Sequence, residues 1–353
     1  MPLLETTARG LYCAAGDFYI DPWRGVERAL ITHAHSDHAR PGSKYYLTSV
    51  PGGPLVRERT GADGKIETLP YGQSLGINGV NVSFHPAGHV LGSSQIRVEH
   101  KGEVWVVSGD YKTAPDSTCA PIEVVKCNTF ISESTFGLPI FRWDPQEKIL
   151  SEINQWWSDC QQRGLTAVVF AYALGKAQRV ISGLDATIGP ILLHGAIDRF
   201  MTLYREAGVR LPPTVKADDE NAKQYQGRAI VVAPPSAADS PWLRKFKPVS
   251  QASASGWMRI RGNRRWRSYD RGFVLSDHAD WPGLIDTIRA TGAERIGVTH
   301  GYAQQFAKYL AEELKLDTFA LSTQYVGETG EVGPDAEEAT GTVGEIKSTS
   351  EDL

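Results

Sequence analysis

Short apolar runs separated by turn residues characterise the first part of the chain. Residues 11–21 read as two strands joined near Gly16-Asp17, and Asn78-Gly79 marks a turn directly before an alternating run that begins at Val80. Glycine and asparagine accept the positive φ angles that tight hairpin turns require. The pattern therefore predicts a strand-rich region. Further strands are expected at residues 44–48, 80–85, 95–99 and 104–107.

The periodicity changes after Phe136. Asp144-Pro145 is typical of a helix start, apolar residues follow at helical spacing, and Gly164 favours a helix end. Apolar runs that read as strands then alternate with helical segments, and these runs span residues 165–171, 191–193 and 229–233. Alternating strands and helices indicate an α/β module with a mostly parallel sheet.

A dense polar segment, His33-Ala34-His35-Ser36-Asp37-His38, follows the apolar run at residues 29–32. Its three imidazoles and one carboxylate have the composition of a metal-binding loop rather than of a plain surface loop. His33 and His35 can project to one side of an extended backbone, while Asp37 and His38 turn the other way. One metal cannot easily take all four ligands. Two metals about 3.5–4 Å apart can, as in two-metal phosphate hydrolases.

Three later strand ends carry a further candidate ligand beside a glycine, namely His89, Asp110 and His300. Asp110 is placed to bridge the two metals together with a water or hydroxide, and Asp21 to accept the free N–H of a ligand imidazole. The ligands suit zinc, with manganese as an alternative at the second position. The predicted sets of histidine and carboxylate ligands are His33, His35 and His89 for the first metal and Asp37, His38 and His300 for the second.

Composition sets limits on the kind of protein. The chain has 353 residues, 41% of them hydrophobic, and a formal net charge of −4, which argues against a generally basic nucleic-acid-coating protein. The four cysteines form no C-x-x-C pair, so reduced thiols in a cytoplasmic protein are expected. No signal peptide is expected, and the longest apolar run, at residues 167–174, is too short to span a membrane.

One local stretch is strongly basic. Residues 257–271 contain six arginines interleaved with Trp257, Trp266 and Tyr269. Arginines neutralise backbone phosphates and aromatic rings stack on unpaired bases, which favours a nucleic-acid groove over a solvated loop. The arginines predicted to bind nucleic acid are Arg259, Arg261, Arg264, Arg265 and Arg267.

The candidate ligands together resemble a known fold. Asp21, the loop at residues 33–38, His89 and Asp110 match the metallo-β-lactamase fold, an αβ/βα sandwich with a dinuclear site. In simple members of that fold the final histidine follows the bridging aspartate closely, whereas here His300 lies 190 positions after Asp110. The α/β module fills that interval and resembles the β-CASP domain of nucleic-acid-processing members.

The resemblance implies a division of the chain and three marker residues. Glu133, His278 and His300 match the three β-CASP markers. Residues 1–136 and 273–326 would form the two parts of the metallo-β-lactamase domain, and residues 137–272 the inserted β-CASP domain. Residues 327–353, rich in Glu, Gly, Thr and Ser, are expected to form a disordered acidic tail.

Catalytic roles can be assigned to these residues. A protonated His278 can donate to the leaving oxygen, and Glu133 can keep it charged and oriented, although a surface carboxylate is the alternative for Glu133. Asp37 joins them as a metal ligand of the catalytic centre. Ser134, Thr135 and Lys176 are predicted to form a phosphate pocket, with a solvated helix-end lysine as an equal alternative for Lys176.

The wording of the motifs is most similar to the bacterial ligase-associated DNA exonuclease family, in particular residues 16–23 and 273–281. This resemblance implies a DNA exonuclease, acting from the 5′ end in repair beside an ATP-dependent DNA ligase and a helicase. The alternative is RNA 3′-end processing, which His300 at the third marker keeps open. A non-enzymatic subunit is disfavoured by the complete ligand set, and a small-molecule hydrolase by the inserted module and its arginines.

Overall fold

The computed structural model describes residues 2–61, 63–260 and 269–321. Within these residues the strands form three sheets, and the α-helices lie on the sheet faces. The first two sheets pack face to face, and the third belongs to a separate layer system built from the middle of the chain.

The first sheet has six strands in sequential order. Its first three strands are antiparallel neighbours, including the predicted hairpin, in which Leu11 pairs with Ile20, and the later neighbours are parallel. Helix α1 (Gly53–Thr60) connects the last two strands. The strands are β1 (Glu5–Thr7), β2 (Gly10–Cys13), β3 (Phe18–Ile20), β4 (Arg28–Leu30), β5 (Tyr45–Ser49) and β6 (Lys65–Leu69).

The second sheet has seven strands, in the order β19-β18-β11-β10-β9-β8-β7. Strands β7 to β10 are antiparallel neighbours, whereas β10, β11, β18 and β19 run parallel. The strands are β7 (Ser74–Ile77), β8 (Val80–Pro86), β9 (Ser94–His100), β10 (Glu103–Val107), β11 (Thr129–Glu133), β18 (Arg295–Thr299) and β19 (Asp317–Ala320).

These two sheets enclose one core and carry helices on their outer faces. Phe18 and Leu30 of the first sheet pack with Phe84 and Trp105 of the second. Helices α6 (Trp281–Thr291) and α7 (Ala303–Leu314) cover the outside of the second sheet, while α1 and α4 (Gly195–Glu206) cover the outside of the first. The layer order confirms the predicted αβ/βα sandwich.

The third sheet is entirely parallel, with the order β14-β13-β15-β12-β16-β17. Both of its faces are covered, which explains why its central strands are continuous apolar runs rather than alternating ones. The strands are β12 (Thr166–Phe170), β13 (Ile191–Leu193), β14 (Val215–Lys216), β15 (Ile230–Ala233), β16 (Val249–Ala254) and β17 (Arg271–Phe273).

Helices α2 (Gln146–Gln162), α3 (Lys176–Ser182) and α5 (Asp219–Gln224) complete this α/β layer system, with short 3-10 helices at Pro235–Ala237, Pro241–Phe246 and Gly256–Arg259. The expected helix start at Asp144 is one position early. Pro145 caps α2, and the Asp144 carboxylate instead lies 3.0 Å from Lys148 Nζ. All strands of the third sheet come from residues 166–273, inside the interval between Asp110 and His300.

Candidate metal centre

The polar loop at residues 33–38 leaves the end of β4 and is anchored at both ends. At its start, Thr32 N donates to Asp21 Oδ1 over 2.8 Å, and the Thr32 hydroxyl donates to the other oxygen of the same carboxylate. At its end, the backbone N–H groups of His38 and Ala39 both donate to His35 O, which closes a tight turn. The side chains on this short segment are therefore held in fixed directions.

The first ligand cluster consists of His33, His35, His89 and Asp110, and all four residues are buried. His35 Nδ1 lies 3.1 Å from both His33 Nε2 and His89 Nε2. Asp110 Oδ2 lies 3.5 Å from His33 Nε2 and 3.7 Å from His89 Nε2. Ligand atoms bonded to one divalent metal at about 2.0–2.3 Å are themselves about 3–3.7 Å apart. The four atoms thus converge as the ligands of one metal would.

The second cluster consists of Asp37, His38 and His300. His38 Nε2 lies 3.5 Å from Asp37 Oδ2 and 3.6 Å from Asp110 Oδ2, and the rings of His38 and His300 stack with centroids 5.2 Å apart. In the described part of the chain, His38 Nε2 and Asp37 Oδ1 are buried without a hydrogen-bond partner. Buried polar atoms of this kind are costly unless a ligand satisfies them, so the residues fit a cation.

Asp110 Oδ2 is the atom that the two clusters share. It lies within 3.7 Å of ligand nitrogens in the first cluster and 3.6 Å from His38 in the second. Gly109 gives the close approach that this requires, because its φ is +56° and a Cβ there would lie 2.7 Å from Thr32 Cβ. The seven ligand residues predicted from the sequence are therefore brought together around one shared carboxylate.

The second nitrogen of each candidate ligand imidazole also has a partner. His35 Nε2 lies 3.0 Å from Leu174 O and His89 Nδ1 lies 2.8 Å from Asp277 O. Since a carbonyl oxygen only accepts, these contacts place the ring proton there and leave the opposite nitrogen free to bind a metal. The remaining pairs join His33 Nδ1 to Thr32 Oγ1 at 3.1 Å, His38 Nδ1 to Asp21 Oδ2 at 2.7 Å and His300 Nδ1 to Thr299 Oγ1 at 3.2 Å.

The protonation of the clusters also suits a cation. Burial lowers the pKa of His33 and of His89 well below the usual value, so both imidazoles are neutral, as metal ligands must be. Burial also disfavours a charged His38, but the carboxylates of Asp37, Asp110 and Asp21 outweigh this and raise its pKa. The carboxylates thus create a demand for positive charge at His38 that a metal would satisfy.

A histidine–glutamate pair lies beside the first cluster. His278 Nδ1 is 2.9 Å from both carboxylate oxygens of Glu133, and its ring centroid is 4.6 Å from that of His89. Glu133 is buried at the end of β11, where its Oε1 also accepts the Tyr111 N–H over 2.8 Å. Burial lowers the pKa of His278, but Glu133 and then Asp110 outweigh it and raise that pKa to about 9.

Arg179 is a buried residue of the site that was not predicted from the sequence. On α3, its Nη2 donates to His89 O over 3.0 Å and its Nη1 to Ser276 O over 2.9 Å, while Nε lies 2.9 Å from Asp116 Oδ2. It thus ties a candidate ligand to the loop that carries His278. Nothing in the local sequence of α3 distinguishes Arg179 from Lys176, which the same helix also buries.

The predicted phosphate-pocket residues lie near the centre, but most of their polar atoms are engaged. Lys176 Nζ lies 2.6 Å from Asp277 Oδ1, and both side chains are buried. The Ser134 hydroxyl donates to the carbonyls of Thr299 and His300. Thr135 is half-buried. A phosphate would have to displace the partners of Lys176 and Ser134, and the pocket stays a prediction.

The basic stretch is described only in part. Arg259 is exposed, and its Nε donates to Ile140 O over 3.3 Å. Arg261, Arg264, Arg265 and Arg267 lie outside the described residues, as does the predicted tail at residues 327–353. Among the residues that are described, no helix combines the length and the apolar character that a membrane crossing requires.

The chain is similar in sequence to several known proteins. It is 29% identical over 315 residues to a probable DNA ligase from Opitutus terrae, a match that covers 88% of this chain and 30% of that protein. It is 32% identical over 123 residues to Endoribonuclease YSH1 of Saccharomyces cerevisiae, covering 34% of this chain and 16% of that protein. A cleavage and polyadenylation specificity factor subunit 3 from Dictyostelium discoideum is 30% identical over 125 residues, with 34% and 16% covered.

These relatives support a β-CASP nuclease-like family. The chain spans about a third or less of the length of these curated relatives. No family model matches it. A solved structure from Enterococcus faecalis, titled a protein of unknown function, superposes with a TM-score of 0.58 at 10% identity, covering 84% of this chain and 79% of the other. That likeness concerns the fold alone.

The two clusters predict separate losses of metal. The wild-type protein is expected to bind two divalent ions, whereas His35→Ala and His38→Ala should each retain about one, because each removes a ligand of a different cluster. Metal content after dialysis, measured by mass spectrometry, checks this. His100→Ala is the control. It removes a histidine that is hydrogen-bonded to Gly79 O and belongs to neither cluster, so this variant should still bind two metal ions. Equal metal content in all four proteins would contradict the assignment.

Arg179 predicts an effect on metal affinity that is separable from folding. Arg179→Lys keeps the positive charge beside Asp116 but cannot hold both carbonyls, so zinc affinity should fall by about 10- to 100-fold. A competition titration with a chromophoric chelator measures the affinity, and urea unfolding reports stability. Arg205→Lys, at an exposed arginine that also donates to a carbonyl, is the matched control. An unchanged zinc affinity in Arg179→Lys would show that the contact to His89 is not used.

Proposed function

We propose that this protein is a metal-dependent nuclease that hydrolyses phosphodiester bonds in DNA, from the 5′ end and in the course of repair. The observation that carries the proposal is the shared carboxylate. Asp110 Oδ2 lies within 3.7 Å of ligand nitrogens in two clusters, and a charged histidine–glutamate pair lies beside them. A dinuclear site next to a general acid is an arrangement that can catalyse phosphodiester hydrolysis.

The side chains have distinct tasks in this proposal. His33, His35, His89 and Asp110 would hold one divalent metal, and Asp37, His38, His300 and Asp110 the other, most simply zinc, with manganese as the alternative. Two such ions supply charge neutralisation for the phosphate and lower the pKa of an attacking water.

The protein itself then supplies the proton for the leaving group. His278 carries that proton, and Glu133 accepts its Nδ1–H, which leaves Nε2 as the donor to the leaving oxygen. The Tyr111 N–H in turn holds the Glu133 carboxylate in place. The chain thus fixes both the charge and the direction of the acid before substrate arrives.

This assignment predicts a change in the pH dependence of cleavage. The acid acts only while protonated, so activity persists below the pKa of His278, about 9, and falls as pH rises through it. Glu133→Gln removes the negative charge that raises this pKa, so its alkaline limb should move to lower pH. His278→Ala should lower kcat by about 10²- to 10⁴-fold at neutral pH while metal content stays unchanged. An unmoved alkaline limb in Glu133→Gln, or near-normal turnover in His278→Ala, would contradict the roles given to this pair.

Two groups of relatives favour two different nucleic acids as the substrate. The match that covers most of this chain is to a protein named as a probable DNA ligase, which favours DNA and association with a DNA ligase. We propose that this ligase is ATP-dependent and that a helicase is a further partner, in the cytoplasm. Shorter matches are to proteins named Endoribonuclease YSH1 and cleavage and polyadenylation specificity factor subunit 3, which favour RNA 3′-end processing. The two are about equally supported, so the RNA activity is the second candidate. We assign residues 1–136 and 273–326 to the metallo-β-lactamase domain and residues 137–272 to the β-CASP domain.

An end-labelling experiment distinguishes the candidates. The metal-loaded protein is given single- and double-stranded DNA and RNA, labelled at one end, with and without a 5′-phosphate. Release of mononucleotides from the 5′ end of DNA alone is the expected result. Internal cuts in RNA alone would replace it by the second candidate. His278→Ala is the control for a contaminating nuclease, since it should abolish whichever activity is intrinsic.

A further inference from the structure

A pocket lies beside the second ligand cluster, and the mechanism above gives no role to the apolar residues that line it. One side of the pocket is formed by Asp37, His38 and His300. The other side is apolar and includes Leu11, Ile20, Trp23, Ile131 and Leu321. Whatever occupies this pocket is therefore in reach of the second cluster.

Trp23 presents the largest flat surface in this wall. Its side chain is half-buried, and its backbone N–H donates to Arg9 O over 2.9 Å, which ties it to the turn between β1 and β2. Gly10, the first residue of β2, has a φ of +122°, and a Cβ there would lie 3.2 Å from Pro22 Cα, so the start of β2 packs closely against the segment that carries Trp23. The backbone at Trp23 is thus held in place by neighbouring segments.

The pocket and the proposed acid adjoin different parts of the candidate metal centre. Among the described residues, the pocket is lined by ligands of the second cluster and by none of His33, His35, His89 or His278. His278 instead groups with His89 and Asp277, and also with Asp110 and Glu133. A substrate bound across both clusters would therefore have one end towards His278 and the other towards the pocket.

The chemistry of hydrolysis identifies which nucleoside of the substrate lies towards His278 and which lies towards the pocket. The water oxygen forms a new bond to phosphorus and gives up one proton to the solvent, the bond from phosphorus to the leaving oxygen breaks, and that oxygen takes the proton from His278, which solvent then replaces. The nucleoside that leaves as an alcohol must then lie on the His278 side. The nucleoside that keeps the phosphate lies on the side of the pocket.

We propose that this pocket binds the nucleobase of the nucleotide that keeps the scissile phosphate, by stacking against Trp23. The inference rests on the proposed nuclease function. Stacking of a base on an aromatic side chain tolerates every base because all bases have a π-face. The apolar wall offers little to distinguish base edges, so all four bases should bind with similar affinity.

Equilibrium binding tests the pocket without any cleavage. Calorimetry compares thymidine 5′-monophosphate with deoxyribose 5-phosphate, which carry the same phosphate and differ only by the base, on both metal-loaded and chelator-treated protein. The base is expected to add about tenfold or more in affinity in wild type. Trp23→Ala should remove this difference and Trp23→Phe should retain part of it. Trp242→Ala, which removes an indole beside His194 in the α/β module, should leave the difference intact.

Two results would overturn the inference. Equal affinities of the two phosphates for the wild-type protein would show that no base is bound, whatever the folding of the variants. A full difference in Trp23→Ala would show that the base binds elsewhere.

Cleavage of oligonucleotides with a single abasic residue locates the base relative to the scissile bond. An abasic residue on the phosphate-keeping side should slow the first cut about tenfold in wild type and have no effect in Trp23→Ala. An abasic residue on the leaving side should matter little in either protein. A larger effect of the abasic residue on the leaving side than on the phosphate-keeping side would overturn the inference. A lack of cleavage of every DNA and RNA would instead refute the nuclease function, and the binding experiment would then test the pocket independently.

Discussion

The buried carboxylate of Asp110 is the group on which the rest of the site depends. Its side chain is 9% exposed, and burial raises its pKa to about 7, so the ionised form is stable only with positive charge close by. The surrounding histidines cannot all be protonated, because burial lowers the pKa of His33 and of His89 and keeps both neutral. Divalent ions would supply the missing charge on both sides of the same oxygen. The position of Asp110, set by Gly109 against Thr32, therefore decides where both clusters can form.

The inserted α/β layer system takes part in this centre rather than lying beside it. The carbonyl of Leu174 accepts from His35, and Arg179 on α3 holds the carbonyl of His89. Both contacts orient ligands that belong to the first part of the chain. Burying the Arg179 charge is tolerated because the Asp116 carboxylate lies 2.9 Å from its Nε and two carbonyls each accept from one of its terminal nitrogens. Substitutions or movements in the inserted layers can thus alter the orientation of the candidate metal ligands through these two polar contacts.

Local sequence patterns were sufficient to predict much of the fold and of the candidate site. The loop at residues 33–38 is dense enough in ligand side chains to be recognised by itself. Short apolar runs predicted the strand-rich region, the alternation of strands and helices predicted the parallel sheet, and the family resemblance predicted the sandwich. Arg179 and Asp116 were not predicted from the sequence because neither belongs to a local pattern, and the two residues pair only when distant segments of the chain pack together. The expectations for Ser134 and Lys176 had the same weakness. Their neighbourhood was predictable, whereas their partners, the carbonyl of Thr299 and the carboxylate of Asp277, come from far along the chain.

The parallel pairing of β11 with β18 has a consequence for the order of folding. Thr129 of β11 lies opposite Arg295 of β18, so the second sheet stays open at this edge until the whole α/β layer system has been synthesised. Pairing over such a separation is slow, because the chain must close a long loop before the contact stabilises it. His33, His35, His89 and Asp110 are all present before that closure, whereas His300 follows the end of β18. In a growing chain, the cluster with His35 can assemble while the cluster with His38 still lacks its last ligand.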